Sequence, residues 1–375
     1  MNQQSFVGIS SIEKFFFLLR EYNPHHIFLV RGKKSYDICG AKNIINRLLA
    51  ILHCDITEFY DFEENPKIED LEKGLSLLRQ NPSSIIIGIG GGSVLDMSKL
   101  LRFFYSYSGD MTGQEFKKEC NLLPLIALPT TAGTGSEATH FSVLYKDNVK
   151  YSIEHEDILP DVAIVYPPFT YNNPQYLTAC TGFDALAQGI EAYWNVNATE
   201  ESDKYAKRAI ELLWSNLPIA VNSPTNEVRN KISEGSYWAG CAINVTKTTA
   251  PHAFSYPLTT NYGYPHGHAV ALTFPFFFNL NLNLNRLKSG IDIELYKSKI
   301  EYLRGICTIP IKDYINHLLF LSPREADYLD IQLIVRSVNI QRLNNNPVNI
   351  DSSVSLDQLI SVSYTHLRAH ETGAY

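Results

Sequence analysis

The stretch Ile85-Ile86-Ile87-Gly88-Ile89-Gly90-Gly91-Gly92-Ser93 decides the fold. Its near-continuous apolar run suits a strand buried on both faces. Three glycines in a row end it, and a helix is predicted from about Ser93 to Phe104. Strand, glycine turn and helix therefore come in that order. Backbone N–H groups at such a turn can converge on pyrophosphate oxygens, and missing side chains let the backbone come close. A tight strand-to-helix turn with no ligand would account for the same glycines.

Working outward, Ile27-Phe28-Leu29-Val30, Leu123 to Leu128 and Val162-Ala163-Ile164-Val165 also read as strands. Strands alternating with helices imply a mostly parallel sheet covered on both faces. The alternation from Tyr145 to Ile153 around Lys146-Asp147-Asn148 predicts a hairpin. After Asn173 strand-like runs become rare. Helical patterns take over at Ala206 to Leu213, Glu227 to Ile243 and Ile291 to Leu303. This gives a first, α/β domain over 1–173 and a second, all-helical domain over 174–361. The last fourteen residues, 362–375, fit no helical face and read as a non-native tail, so His366 and His370 are set aside.

Length and composition set bounds. The 375 residues are enough for two domains, and 45% apolar with 19% charged residues is an ordinary globular balance. The net charge is −7 with no basic block, which argues against nucleic acid as a partner. No apolar run reaches membrane-spanning length, and charged residues flank Phe15 to Leu19 too closely for a signal-peptide core. The six cysteines are scattered without a CxxC pair, as expected for reduced thiols in a cytoplasmic protein.

Two further patterns carry chemistry. Pro129-Thr130-Thr131-Ala132-Gly133-Thr134-Gly135-Ser136-Glu137 follows the third strand and could line a nucleotide, though hydroxyl-rich loops are often solvated turns. In the helical half, Thr181 to Gln188 reads as a helix start, with Asp184 and Gln188 one turn apart. His252 and His266 lie fourteen positions apart. Asp, His and His make a plausible metal site that does not choose among Fe, Zn, Ni, Co or Mn. Taken singly, Asp184 reads as a helix cap and His252 as a buried, hydrogen-bonded imidazole. His268 is a second candidate near the metal or a surface residue, and His140 is not expected to take part. Lys247 stands among Asn244, Thr246, Thr248 and Thr249, five residues before His252. A lysine among hydroxyls at a helix end suits an anion. A solvent-facing lysine on a polar loop is the plainer reading.

Four ordered motifs resemble the iron-containing, or group III, alcohol dehydrogenases. They are Gly90 to Lys99, Pro129 to Glu137, Gly182 to Leu186 and the His252/His266 pair. The Arg342 to Pro347 segment also resembles that family's C-terminal end. The resemblance implies a Rossmann-like first domain, an all-α second domain, an active site in the cleft between them, NAD(P)H and one divalent metal. Iron is the first candidate, with zinc or another ion as alternatives. The family's ligands, one Asp and three His, fall on Asp184, Gln188, His252 and His266, so Gln188 departs from the pattern. Tyr256 stands where many members have a further histidine near the nicotinamide. Catalysis is thereby assigned to Asp184, His252, His266 and Tyr256. The cofactor is assigned to Gly90, Gly91, Gly92, Ser93, Asp96, Thr130, Thr131, Thr134, Ser136 and Lys150, with Asn65 near the adenosine. No acid stands at Gly32, and Lys33 and Lys34 beside it should tolerate or favour a 2′-phosphate.

Both departures resemble the phosphonoacetaldehyde reductase branch, which implies reduction of phosphonoacetaldehyde to 2-hydroxyethylphosphonate. Lys247, Asn244 and Thr248 would hold the phosphonate. A cytoplasmic homodimer acting on a small molecule is the accompanying expectation. Three other readings stay open at this point: a general alcohol dehydrogenase on uncharged substrates, a dehydroquinate-synthase-like lyase that retains NAD, and a binding module that has lost its metal.

Overall fold

The structure is a computed structural model and describes residues 3–82, 84–147, 149–318, 321, 329–338, 340–350 and 359. The segment 362–375 lies outside the described residues. The chain divides into two compact units. One runs to Asn173 and takes in Arg229–Gly240; the other holds Pro174–Val228 and the chain from Cys241 onward.

The first unit begins with β1 (Gln4–Val7), α1 (Ser11–Tyr22), β2 (His26–Arg31), α2 (Ser35–Ile38), α3 (Ala41–Leu52) and β3 (Asp55–Phe59). Next come α4 (Ile68–Gln80), β4 (Ile85–Gly90), α5 (Gly92–Ser106), β5 (Tyr107–Gly109), β6 (Phe116–Lys118) and β7 (Leu125–Pro129). It closes with β8 (Phe141–Lys146), β9 (Val149–Glu154) and β10 (Val162–Val165). Six strands form one parallel sheet in the order β1-β10-β7-β4-β2-β3. The expected hairpin is the antiparallel pair β8–β9, with Tyr145 opposite Lys150.

The period of two in β4 explains why the sheet is central. Ile85, Ile87 and Ile89 pack on one face with Phe15 and Leu19 of α1 and Ile45 and Leu48 of α3. Ile86 packs on the other with Leu71 and Leu75 of α4 and Leu100 and Leu101 of α5. Each fully buried aliphatic side chain of this kind contributes roughly 1.5–3 kcal/mol. β1 and β3 were not expected from the apolar runs. They are the edge strands, half exposed and carrying polar residues such as Gln4, Asp55 and Glu58, so the buried-strand signature is absent.

Strand order also locates a switch point. From β2 the chain moves outward to β3, whereas from β4 it moves the other way to β7. The carboxyl ends of β2 and β4 are neighbours, Arg31 opposite Ile89. In open α/β sheets ligands bind outside the strand ends at such a reversal. Here the two strand ends lead into Arg31–Lys34 and the Gly90–Ser93 turn, with Gly32 N–H donating to Ile89 O at 3.2 Å.

Among the described residues the second unit carries helices and no named strand. It holds α6 (Gln175–Trp194), α7 (Glu200–Asn222), α8 (Asn226–Thr246, in part), α9 (Ala250–Tyr262), α10 (His266–Asn281), α11 (Ile293–Ile306), α12 (Ile311–Asn316), α13 (Ile331–Arg336) and α14 (Ile340–Leu343). The helix expected to start at Thr181 starts at Gln175, directly after Pro174, whose ring suits a helix entrance and ends the preceding loop. α6 is buried almost all round. Phe183, Ala185, Leu186 and Ile190 are fully enclosed, and so are three polar residues that an apolar helix does not explain: Asp184, Gln188 and Glu191.

Candidate metal and cofactor sites

Asp184, Gln188 and Glu191 lie at i, i+4 and i+7, so they share one face of α6. α9 brings His252 to that face, and His266 opens α10. A Cβ on Gly267 would run into the Cys180 carbonyl, so glycine there lets the start of α10 press against α6. His252 Nε2 lies 3.0 Å from Asp184 Oδ1 and His266 Nε2 lies 3.9 Å from it. One ligand atom from each of the three falls within 4.8 Å of the others. Tyr256 stacks on His266 at 5.6 Å between centroids.

Glu191 is the residue that sequence reading missed. Its Oε1 is bonded to His252 Nδ1, and its Oε2 accepts from Thr249 N–H at 2.6 Å and Thr249 Oγ1 at 2.8 Å. A carboxylate on Nδ1 fixes the ring and turns Nε2 toward Asp184. The signal was present: Glu191 falls one turn beyond Gln188 on the same face.

The residues fit a divalent cation on two observations. Burial opposes a charge on His252, yet Glu191 and Asp184 outweigh it and hold its pKa up to about 10. Two enclosed carboxylates thus call for positive charge. In addition, Gln188 Oε1 is buried with no hydrogen-bond partner among the described residues. An orphaned buried amide oxygen is costly, and it is a donor that a hard or borderline cation can satisfy. His268 is buried beside this cluster, its Nδ1 3.0 Å from Tyr176 Oη and its ring edge-on to Tyr264 at 4.9 Å.

In the first unit the two glycine-rich loops meet. Thr130 N–H donates to Gly90 O at 2.9 Å. A Cβ on Gly91 would sit 3.6 Å from Thr131, and one on Gly92 would sit 2.7 Å from Thr134. Asn65 has φ 60°, and its N–H donates to Ser93 Oγ at 3.0 Å. Tyr145 N–H donates to Pro66 O at 2.8 Å, which ties the β8–β9 hairpin, with Lys150 opposite Tyr145, to the Asn65 loop. The Thr130 hydroxyl is buried without a partner among the described residues.

Asp96 and Ser136, both assigned to the cofactor, are also bonded to each other. Ser136 Oγ donates to Asp96 Oδ1 at 2.5 Å, and Val143 N–H donates to Asp96 Oδ2 at 3.3 Å. Lys99, fully buried, donates to Ser136 O, Ser136 Oγ, Thr139 Oγ1 and Phe141 O at 2.6–3.0 Å. These residues brace the loop from inside. His140 pairs with Glu154 on the hairpin at 3.1 Å. Lys33 pairs with Asp61 at 3.1 Å, both well exposed.

Lys247, at the C-cap of α8, has φ 64° and ψ −177°. This backbone region is essentially reserved for glycine. Its carbonyl accepts from Asn195 Nδ2 at 3.2 Å and Thr246 Oγ1 at 2.8 Å. Asn244 and Thr248 beside it are buried.

No helix among the described residues is long and apolar enough to cross a membrane. Comparison with known proteins accounts for both units. Residues 2–167 match the model of iron-containing alcohol dehydrogenases, and residues 178–299 match that of the family's C-terminal region. The long-chain-alcohol dehydrogenase 1 of Geobacillus thermodenitrificans is 34% identical over 261 residues, 68% of this chain and 66% of that one, so the match spans just under two thirds of its length. The sulfoacetaldehyde reductase of Bifidobacterium kashiwanohense, solved with NAD+, superposes with a TM-score of 0.83 at 30% identity and covers 97% of each chain. The iron-containing alcohol dehydrogenase of Thermotoga maritima gives 0.80 at 26% identity, covering 96% of this chain and 97% of that one. With both regions matched in order, and with an Asp–His–His cluster on the second, this chain belongs to the iron-containing alcohol dehydrogenase family.

Proposed function

We propose that the protein reduces a small aldehyde with an anionic end, phosphonoacetaldehyde to 2-hydroxyethylphosphonate. In the balanced reaction the aldehyde, NAD(P)H and one proton give the alcohol and NAD(P)+. When bound, the nicotinamide supplies the hydride and a divalent ion, iron foremost, supplies Lewis-acid polarisation of the carbonyl oxygen. Asp184, His252 and His266 would hold that ion, with Gln188 Oε1 as the fourth donor and Glu191 orienting His252. Tyr256 and His268 are the candidate protein ends of the proton path. The Gly90–Ser93 turn, with Asn65, Thr130, Thr131, Thr134 and Lys150 around it, would bind the cofactor. Asp96 and Ser136 belong to the same set and also brace the loop through their mutual hydrogen bond. The absence of an acid at Gly32 supports acceptance of NADPH, and the exposed Lys33–Asp61 pair can open toward a 2′-phosphate at little cost.

The observation that carries the reading is Lys247. A cation is held in a glycine-type backbone conformation, one that costs about 1–3 kcal/mol, and strain of this kind collects at functional sites. Two residues on, Thr249 is bonded to Glu191, which is bonded to His252. The lysine is thus tied covalently and by hydrogen bonds to the proposed metal cluster. The sulfoacetaldehyde reductase among the similar structures also takes a two-carbon aldehyde with an anionic end, which supports the class. The long-chain-alcohol dehydrogenase relative favours the second reading, an enzyme for uncharged substrates.

The test is NADPH and NADH oxidation against a panel of aldehydes, with Lys247→Met beside the wild type. Phosphonoacetaldehyde is expected to be preferred over butanal. Lys247→Met should lose roughly ten- to a hundredfold in kcat/KM on the phosphonate, the range of one charge-assisted bond, and keep its rate on the uncharged aldehyde. Equal activity of the wild type on both would return the protein to the second reading. A reduced cytoplasmic enzyme and a homodimer complete the proposal. The six cysteines, none of them in a disulfide, support the first, and sedimentation equilibrium of the purified protein tests the second.

A further inference from the structure

Thr248 is 4% exposed, and its hydroxyl accepts a hydrogen bond from Arg342 Nη1 at 3.1 Å. Its own hydrogen finds no acceptor among the described residues. Arg342 makes no ion pair there either, and its only hydrogen bond among them is the one to Thr248. Two adjacent groups therefore point to the same need. A guanidinium has N–H donors left over, and a nearly enclosed O–H has its donor unused. An oxyanion is the ligand that satisfies both at once, because it accepts without donating. Lys247, one residue away, adds a second positive charge.

Arg342 is not needed as a tether. Its segment is anchored by its neighbours. Asn346 and Asn281 exchange amide hydrogen bonds at 2.9 and 3.0 Å in a buried pair. Asn345 Nδ2 donates to Thr248 O at 3.1 Å, and Lys288 Nζ donates to Leu343 O at 2.9 Å. With the backbone held by these contacts, the guanidinium is spare.

We propose that Arg342, together with the Thr248 hydroxyl, is a specificity-determining contact for the tetrahedral oxyanion end of the substrate. The inference rests on the anionic-aldehyde reading above. Lys247 supplies a compact charge, and Arg342 supplies a planar fork that fits two oxygens of one phosphonate or sulfonate.

The experiment measures kcat/KM for phosphonoacetaldehyde and for propanal with wild type, Arg342→Gln and Arg342→Lys, and takes Tm and metal content for each. Arg342→Gln is expected to lose roughly ten- to a hundredfold on the phosphonate, mainly through KM, and to stay within about twofold on propanal. Arg342→Lys should lie between, because it keeps the charge and loses the fork. Should Arg342→Gln fail to fold, the ratio of the two substrates in Arg342→Lys decides alone. Equal losses on both substrates, or none on either, with the wild-type preference for the phosphonate intact, would overturn the role of Arg342 and leave the anionic-aldehyde reading standing. A wild type with no preference for the phosphonate would overturn both.

Discussion

The glycine turn of the first unit and the carboxylate–imidazole cluster of the second are built by opposite means for the charged ligands proposed above. At Gly90–Ser93 the chain removes side chains and offers backbone N–H groups at the entrance of α5. The turn itself carries no charged side chain, and Ser93 Oγ accepts from Asn65 N–H. On α6 the chain does the reverse. It encloses two carboxylates and surrounds them with imidazole, amide and hydroxyl. The first arrangement tolerates change in bulk stability and fails by losing room. The second holds opposed charges out of water, so losing one member harms the fold as well as the chemistry.

The largest effect that would test this contrast is His252→Ala. Metal content and activity should vanish together, and stability should fall by about 3–5 kcal/mol as two buried carboxylates lose their partner. Full activity in that variant would remove the proposed metal set. Metal analysis, turnover and urea unfolding read the three quantities.

A buried acid in the first unit gives the contrast in another form. Burial raises the Glu137 pKa to about 7, against a smaller opposing pull from its own backbone N–H and from Lys99. The unfolded chain sheds this proton near the usual glutamate value and the folded chain only near 7. The contribution of Glu137 to stability is therefore fully present in acid and is lost as pH rises from about 4.5 to about 7. Glu137→Gln should abolish that decline and gain up to about 3 kcal/mol at pH 8, with little change at pH 4. An unaltered slope of unfolding free energy against pH would show that Glu137 is ionised in the fold.

Glu191→Gln probes the second unit more gently. Size persists, while the negative charge beside His252 Nδ1 goes and an amide NH2 replaces one of the two acceptor oxygens. Metal affinity measured against a competing chelator should drop roughly ten- to a hundredfold, with cofactor KM unmoved. Gly91→Val is the counterpart in the first unit. Its new Cβ meets nothing nearer than Thr131 at 3.6 Å, so the fold should accept it. The added bulk should raise cofactor KM by roughly tenfold, about the loss of one bond to a charged oxygen, and leave metal content unchanged. If the two variants exchanged phenotypes, the assignment of cofactor and metal to separate sets of residues would fail.

The same contrast governs what could be read from the chain. The glycine turn is contiguous, and strands buried on both faces announce themselves as apolar runs, as β2, β4, β7 and β10 do. β1 and β3 escaped because an edge strand keeps polar residues. In the second unit Asp184 and His252 are 68 positions apart, and only folding brings them to 3.0 Å. The histidines and Asp184 could be picked out through a resemblance, whereas Glu191 looked like an ordinary helix carboxylate. Asp96 and Ser136 show the limit of motif reading from another side. A motif marks which residues recur together and says nothing of whether they touch a ligand or each other. Here they touch each other.

Lys247 bears on how this protein could be engineered. Heat-resistance programmes often begin by finding residues in backbone shapes that glycine would adopt without strain, and φ 64° with ψ −177° marks this position for such a list. Relief of the strain would stabilise by about 1–3 kcal/mol, less the roughly 0.4–1 kcal/mol that glycine's extra freedom in the unfolded chain takes back. Any library selected on thermal tolerance alone would therefore drift toward glycine at 247. Its members would survive heating and lose the charge proposed to distinguish one aldehyde from another, so a screen on this scaffold has to score substrate choice alongside melting temperature.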